Sequence, residues 1–481
     1  MNFPLVARLV AVLCLFIGIS MAFPLAVSLH FDEAPGPLLW SLVITCVAGG
    51  AVWMWTRDVE DTHLSHRDGV TVVALGWATA GLAATLPYLF AGVVPTFTDA
   101  YFESVSGFTT TGASILTQVE GLPRGLLLWR AQTQWLGGMG IIVLSVAILP
   151  FLGVGGMQLY KAETPSPVVD KLTPRIADTA AALWKVYIFL TFLEVFLLVA
   201  GDMSVYDAVC HAFTTLPTGG FSTRNASVGA YGSAYIEYVI VLFMFLAGVS
   251  FSLHYRLATG NWRAFLGDPE LRVYFWITVV LVLLVTADVA WSVYGGIGEA
   301  FRRALFQVVS VMTTTGYATA DFNKWPVFSQ LILFFCMFFG CMAGSTGGGL
   351  KIMRLILLAR HAYLEIFRII HPHATTVVKF GSQPVPQAIM RSVWGFFLLY
   401  LAIFVLAAAA LTALGLDMVS ALTAAATALG NVGPGLGSVG PMENFAAVPA
   451  AGKWILIVCM LLGRLEIYTI LVLFMPAFWR K

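Results

Sequence analysis

The chain has 481 residues, of which 59% are hydrophobic and only 11% charged, with a mean hydropathy of +0.87, whereas soluble domains carry roughly 25% charged residues. That composition excludes a soluble globular protein and describes one that crosses the lipid bilayer many times. A net charge of +1 and an isoelectric point near 7.7 give no basic surface for nucleic acid, so that class of partner drops out.

With about 20 apolar residues as the length of a membrane-crossing helix, the sequence predicts spans over residues 5–29, 37–56, 69–92, 125–150, 183–201, 234–253, 273–294, 327–360, 392–414 and 453–475. The first follows a single early arginine, Arg8, and lacks a small-residue cleavage site, so it reads as a membrane helix rather than a removed signal. The last eight spans form pairs. Each pair encloses a short amphipathic segment: Phe97 to Thr109, Ser204 to Thr215, Gly298 to Thr313 and Asp417 to Leu429. Behind each segment comes a polar phrase with a central glycine: VSGFTTTGAS, FTTLPTGGFS, VSVMTTTGYA and ATALGNVGPG. Aligned without gaps, these place Gly112, Gly220, Gly316 and Gly433 in register at intervals of 108, 96 and 117 residues. The unit is membrane helix, re-entrant half-helix, extended turn, membrane helix, present in four copies, with the first two spans outside the repeat.

Non-helical backbone at membrane depth is tolerated only where protein buries it or a wet cavity receives it, because an unsatisfied amide in hydrocarbon costs several kcal/mol. Four such turns around an axis can point carbonyl oxygens inward and replace the water around a dehydrating cation. The candidate ligand positions are Thr110, Thr111 and Gly112; Thr218, Gly219 and Gly220; Thr314, Thr315 and Gly316; and Asn431, Val432 and Gly433. Half-helix C-termini aimed at the axis would add partial negative charge, which suits a cation. A single copy would be equally well explained as a tight polar turn. Four copies, each between two spans, favour a cation pore.

Lysine and arginine concentrate after the second, fourth, sixth and eighth spans, with Arg57, Lys161, Arg256, Arg263, Arg272, Arg360 and Arg368 among them, and at both termini. The positive-inside rule therefore puts both termini in the cytoplasm and brings the polar phrases in from outside. The stretch Ala343 to Lys351, with Gly344, Ser345, Thr346, Gly347, Gly348 and Gly349, interrupts an apolar region too long for one helix in roughly 30 Å of hydrocarbon. Two half-helices with a loop between them are expected, and the nucleotide-binding pattern G-x-x-x-x-G-K-[ST] is not met. Either a packing kink or a functional loop fits these residues. Arg464 falls near mid-membrane in the tenth span, where an arginine must face a cavity or a partner. A structural ion pair or an electrostatic barrier in the conduction path would explain it. Glu466, two residues on, points elsewhere on a helix.

The remaining marked residues read as structural. The six cysteines are scattered without metal spacing and His211 reads as a packed histidine. His371 and His373 fall in a loop, and Trp129, Trp135, Trp262, Trp325 and Trp454 near span ends are expected to anchor the interface. No nucleophile with a base, clustered carboxylates or metal-ligand set occurs inside the spans, so an enzyme is not supported.

Together the four phrases, the paired spans, the Gly344 to Gly349 stretch and Arg464 resemble the TrkH branch of the Trk/Ktr/HKT superfamily over nearly the whole chain. The two leading spans favour that branch over KtrB, which resembles the four-repeat core alone. The resemblance implies uptake of K+ across the bacterial inner membrane by a homodimer with one pore per protomer, gated by a cytosolic TrkA-type nucleotide-binding ring. It also implies filter glycines at Gly112, Gly220, Gly316 and Gly433, and a mobile gate made of Gly344 to Gly349 with Lys351 and Arg464. The expected fold is an all-α polytopic membrane protein. Its parts are two N-terminal helices over residues 1–66 and repeats over 67–156, 157–256, 257–375 and 376–481. A secondary transporter with broken helices, moving a small solute by alternating access, is the main alternative.

Overall fold

The computed structural model describes residues 1–58, 65–147, 176–374, 376–381 and 383–480. They are predominantly helical; the described strands are the short antiparallel pair Lys379–Phe380 and Gln383–Pro384. Each predicted span contains helix among its described residues. Among the described residues, six helices are long and apolar enough to cross a bilayer, and two further pairs qualify as bent spans.

The half-helices lie where the amphipathic segments predict them: Phe97–Phe108, Val205–Thr215, Ile297–Met312 and Met418–Gly430. Three start on a side-chain cap, with Thr96, Ser204 and Asp417 accepting from the amides of Asp99, Asp207 and Ser420. Hydrogen bonds from Ser420 hold the Asp417 carboxyl, at the outer end of its helix, below the usual carboxylate range. The first and fourth half-helices are buried along nearly their whole length. Membrane helices surround them, and large apolar side chains such as Trp40, Phe192, Phe196, Trp276 and Trp291 stay exposed on those outer helices, as lipid-facing residues do. The N-terminal helix Phe3–Ser20 packs against Gly36–Trp55 and His66–Phe90, to one side of the repeats.

Several expectations need correction. The sixth span is not continuous: Ala234–Ala247 turns by 100° into Phe251–Ala258, and the freed Gly248 carbonyl accepts from the Met342 amide at 3.0 Å. The tenth span breaks too, Ala450–Arg464 turning by 115° at Glu466, whose φ is 65°. Arg464 therefore ends its helix instead of sitting inside one. In the eighth span the interruption is wider than the glycine-rich stretch: helix Val327–Cys336 stops and helix resumes at Ile352–Ile370. Two tryptophans expected at the interface are core residues, Trp129 being fully buried and Trp325 donating to the Tyr294 hydroxyl at 3.2 Å. The far end of the fourth span and the loop Met157 to Arg175 lie outside the described residues.

Candidate functional site

All four half-helices end in the same way. The amide of the residue before each marked glycine reaches back to a half-helix carbonyl, Thr111 to Ser106, Gly219 to Thr214, Thr315 to Ser310 and Val432 to Thr427, each at 2.9 Å. This is a Schellman-type cap, which requires a left-handed residue just before the bonded amide. Thr110, Thr218, Thr314 and Asn431 occupy that position with φ of 51°, 58°, 60° and 54°. Two residues on, Gly112, Gly220, Gly316 and Gly433 are left-handed again, with φ of 80°, 74°, 82° and 100°. Reversing the sign of φ at alternate residues flips alternate peptide planes. Carbonyls that would point to opposite sides of an extended strand are thereby turned toward the same side.

The strands close into a ring. A Cβ on Gly112 would overlap the Gly219 carbonyl oxygen, one on Gly220 that of Thr315, and one on Gly316 that of Val432. One on Gly433 would stand 2.8 Å from the carbonyl oxygen of Thr111. Each glycine thus abuts the carbonyl of the residue preceding the glycine of the next repeat, and the fourth repeat returns to the first. The twelve predicted ligand positions meet in this ring. Its walls are unequal: the Thr109 and Thr111 hydroxyls lie 2.8 Å apart, as do those of Thr313 and Thr315. In the fourth strand Asn431 instead donates across to the Thr111 hydroxyl at 2.9 Å and to the Met460 carbonyl at 3.0 Å.

Residues 337–351 pack against the inner ends of the half-helices. The Gly348 amide donates to the Thr314 hydroxyl at 2.8 Å, and the Thr346 hydroxyl donates to the Leu216 carbonyl at 2.8 Å. Arg464 donates to the Thr346 carbonyl at 2.6 Å, and Lys351 donates to the Gly347 carbonyl. Arg464 is 3% exposed and is held here by backbone oxygens rather than by a carboxylate. Glu466 instead pairs with Arg354 at 2.6 Å. The predicted loop residues, Lys351 and Arg464 therefore form one cluster touching all four repeats.

Sequence reasoning missed two supports of this arrangement. Glu103 of the first half-helix and Arg130 of the fourth span form a buried ion pair at 2.7 Å. Glu103 also accepts from the Ile115 amide at 2.9 Å, while Arg130 covers the Phe221 ring and donates to the Ser222 carbonyl. The pair ties together the segments leaving strands one and two. The rule that singled out Arg464, that a charge in an apolar stretch needs a reason, applies equally to both residues. Glu270, at the start of helix Pro269–Ser292, accepts from the amides of Ala343 at 3.0 Å and Met353 at 2.9 Å, one on either side of the loop. No sequence signal marks it, because its partners are backbone groups far along the chain. His211 is fully buried between the Asp207 carbonyl and the Ser222 hydroxyl.

Comparison with known proteins extends the geometry to a family. The TrkH family of cation transport proteins matches residues 39–481. Over 486 residues, covering all of both chains, the sequence is 41% identical to the Trk system potassium uptake protein TrkH of Salmonella typhimurium. It is 35% identical to the TrkG protein of Escherichia coli K12 over 98% of this chain and 99% of that one. The crystal structure of the potassium transporter TrkH from Vibrio parahaemolyticus superimposes with a TM-score of 0.92 at 40% identity, covering both chains completely. A multi-pass helical fold with four half-helix repeats, matched along its whole length to these transporters, belongs to the TrkH family of cation transport proteins.

Proposed function

We propose that this protein carries potassium into the cell across the bacterial cytoplasmic membrane, selecting it at the ring of strands around Gly112, Gly220, Gly316 and Gly433. The observation that carries this reading is the cyclic closure of glycine against carbonyl through four repeats. With φ alternating in every strand, that closure gives a ring of inward oxygens able to replace a hydration shell. The potassium-uptake names of the relatives agree with it. The loop Gly344 to Gly349, with Lys351 and Arg464, is the gate: it packs under the ring and must move aside for an ion to pass.

The finer assignments belong to the same proposal. Both termini are cytoplasmic, the protein works as a homodimer with one pore per protomer, and a cytosolic TrkA-type nucleotide-binding ring drives the gate. The units are 1–66, 67–156, 157–256, 257–375 and 376–481, the boundary at 156/157 lying outside the described residues.

Alternating access has one observation in its favour, the broken second helices of repeats two, three and four. Rubidium uptake into proteoliposomes separates the two readings. A pore gives flux above about 10⁶ ions per second, because a rocking carrier completes at most about one cycle per microsecond. Uptake that saturates below that rate, with counterflow of a trapped solute, would favour the carrier.

A further inference from the structure

Gln134 belongs to the helix that closes the first repeat, but its side chain acts on the second. It is fully buried. Its Nε2 donates to the Gly219 carbonyl at 2.7 Å and its Oε1 accepts from the Phe221 amide at 3.1 Å, so one planar amide brackets Gly220 from both sides.

The need for such a bracket follows from the sequence of the strands. Before their ring glycine, repeats one, three and four carry Thr111, Thr315 and Val432, each with a side chain that packs the strand from behind. The second repeat has Gly219 there. A Cβ on Gly219 would run into the amide of Gln134, which means the glutamine occupies the volume that a side chain at 219 would fill. Two consecutive glycines also have more conformational freedom than any other pair in the ring, and most to lose on ordering. Left unsupported, the Gly219–Gly220 carbonyls would be the least fixed of the set.

We propose that Gln134 is a specificity-determining residue, a surrogate side chain supplied by the first repeat that fixes the second filter strand. This rests on the reading of the ring as the filter. A carbonyl oxygen has two lone pairs. The Gln134 amide engages one at Gly219 and leaves the other for the axis, so the same contact both orients the ligand and sets its strength.

The test is a set of substitutions read as the potassium-to-sodium permeability ratio in proteoliposomes, with folded protein quantified in parallel. Gln134→Leu keeps the volume and removes both hydrogen bonds, and it lowers the ratio about tenfold, the equivalent of one or two modest hydrogen bonds, while folded yield holds. Gln134→Asn withdraws the amide by one methylene and gives the same reading where the leucine variant does not fold. Gly219→Thr alone collides with Gln134 and loses selectivity. Combined with Gln134→Ala, the same Gly219→Thr change rebuilds the strand in the manner of repeats one and three and recovers most of the ratio. A purely structural role for Gln134 predicts no such rescue. A wild-type ratio in Gln134→Leu, or a double variant no better than Gln134→Ala, overturns the proposal. Gly316→Ala, in the third strand, where a Cβ would overlap the Val432 carbonyl oxygen, serves as the control for the underlying reading. If that variant keeps its ratio, the filter itself is misassigned; if it loses selectivity while Gln134→Leu does not, only the role of Gln134 falls.

Discussion

Three β-branched residues, Thr110, Thr218 and Thr314, hold left-handed backbone at equivalent places, with φ between 51° and 60°. Such conformations cost about 1–3 kcal/mol each and persist only where the surroundings impose them, most often at functional sites. A chain that merely needed to turn would place glycine or asparagine there, as the fourth repeat does with Asn431. Two residues on, each glycine meets both a left-handed φ and a neighbouring carbonyl. Gly112→Ala, Gly220→Ala and Gly316→Ala should therefore lower potassium-over-sodium selectivity at least tenfold, since strain plus carbonyl displacement exceeds about 1.4 kcal/mol. The fourth strand leaves more room, 2.8 Å, so Gly433→Ala should cost least. Bi-ionic reversal potentials across planar bilayers check both the losses and their order. The buried Glu103–Arg130 pair gives a separate expectation. Arg130→Ala strands an uncompensated carboxylate and should destabilise the fold by about 3–5 kcal/mol, visible as a large drop in melting temperature in detergent. An unchanged melting temperature would refute that role.

Among the elements, the loop of residues 337–351 has contacts in repeats two, three and four, and its anchors are few and polar. Arg464→Ala removes the donor to the Thr346 carbonyl and should raise rubidium uptake per folded molecule while flattening its response to a regulator. A fall in that normalised rate would make Arg464 a scaffold residue. Glu270 holds the loop by both flanks through one carboxylate oxygen. Glu270→Ala should raise unregulated flux, whereas Glu270→Gln keeps an acceptor oxygen and should stay near wild type; equal effects of the two would exclude the anchoring role. The sequence revealed the half-helices to within a residue or two because their signals are local: an amphipathic stretch followed by a polar phrase. The breaks after Ala247 and Arg464 were not legible. Neither contains a proline, and at both the chain meets partners distant in sequence, Met342 at the Gly248 carbonyl and Arg354 at Glu466. For the same reason Arg464 could be flagged from its position in an apolar run, while its actual partners, backbone carbonyls of the third and first repeats, could not.

At the scale of the whole molecule, the fourfold ring is built from one chain, so its four walls can differ where those of four identical subunits could not. Asn431 cross-linking to Thr111 and the bare Gly219 are two such differences. On the face that the positive-inside rule assigns to the cytoplasm, Arg256 closes the second repeat, Arg263 and Arg272 open the third, and Arg360 and Arg368 lie on the helix that continues directly from the loop. A ring-shaped partner docked there would pull on the loop through that helix. Reversing several of these charges should abolish co-purification with a TrkA-type protein, and retention of the complex would exclude an electrostatic dock on this face. The central claim, that the four strands hold a dehydrated cation, is tested most directly by anomalous diffraction from crystals grown in rubidium. The account predicts a peak on the axis between the carbonyl oxygens of Thr111, Gly219, Thr315 and Val432, lost when sodium replaces rubidium. An empty axis at saturating rubidium, with density instead in a midplane pocket between two halves of the molecule, would contradict it.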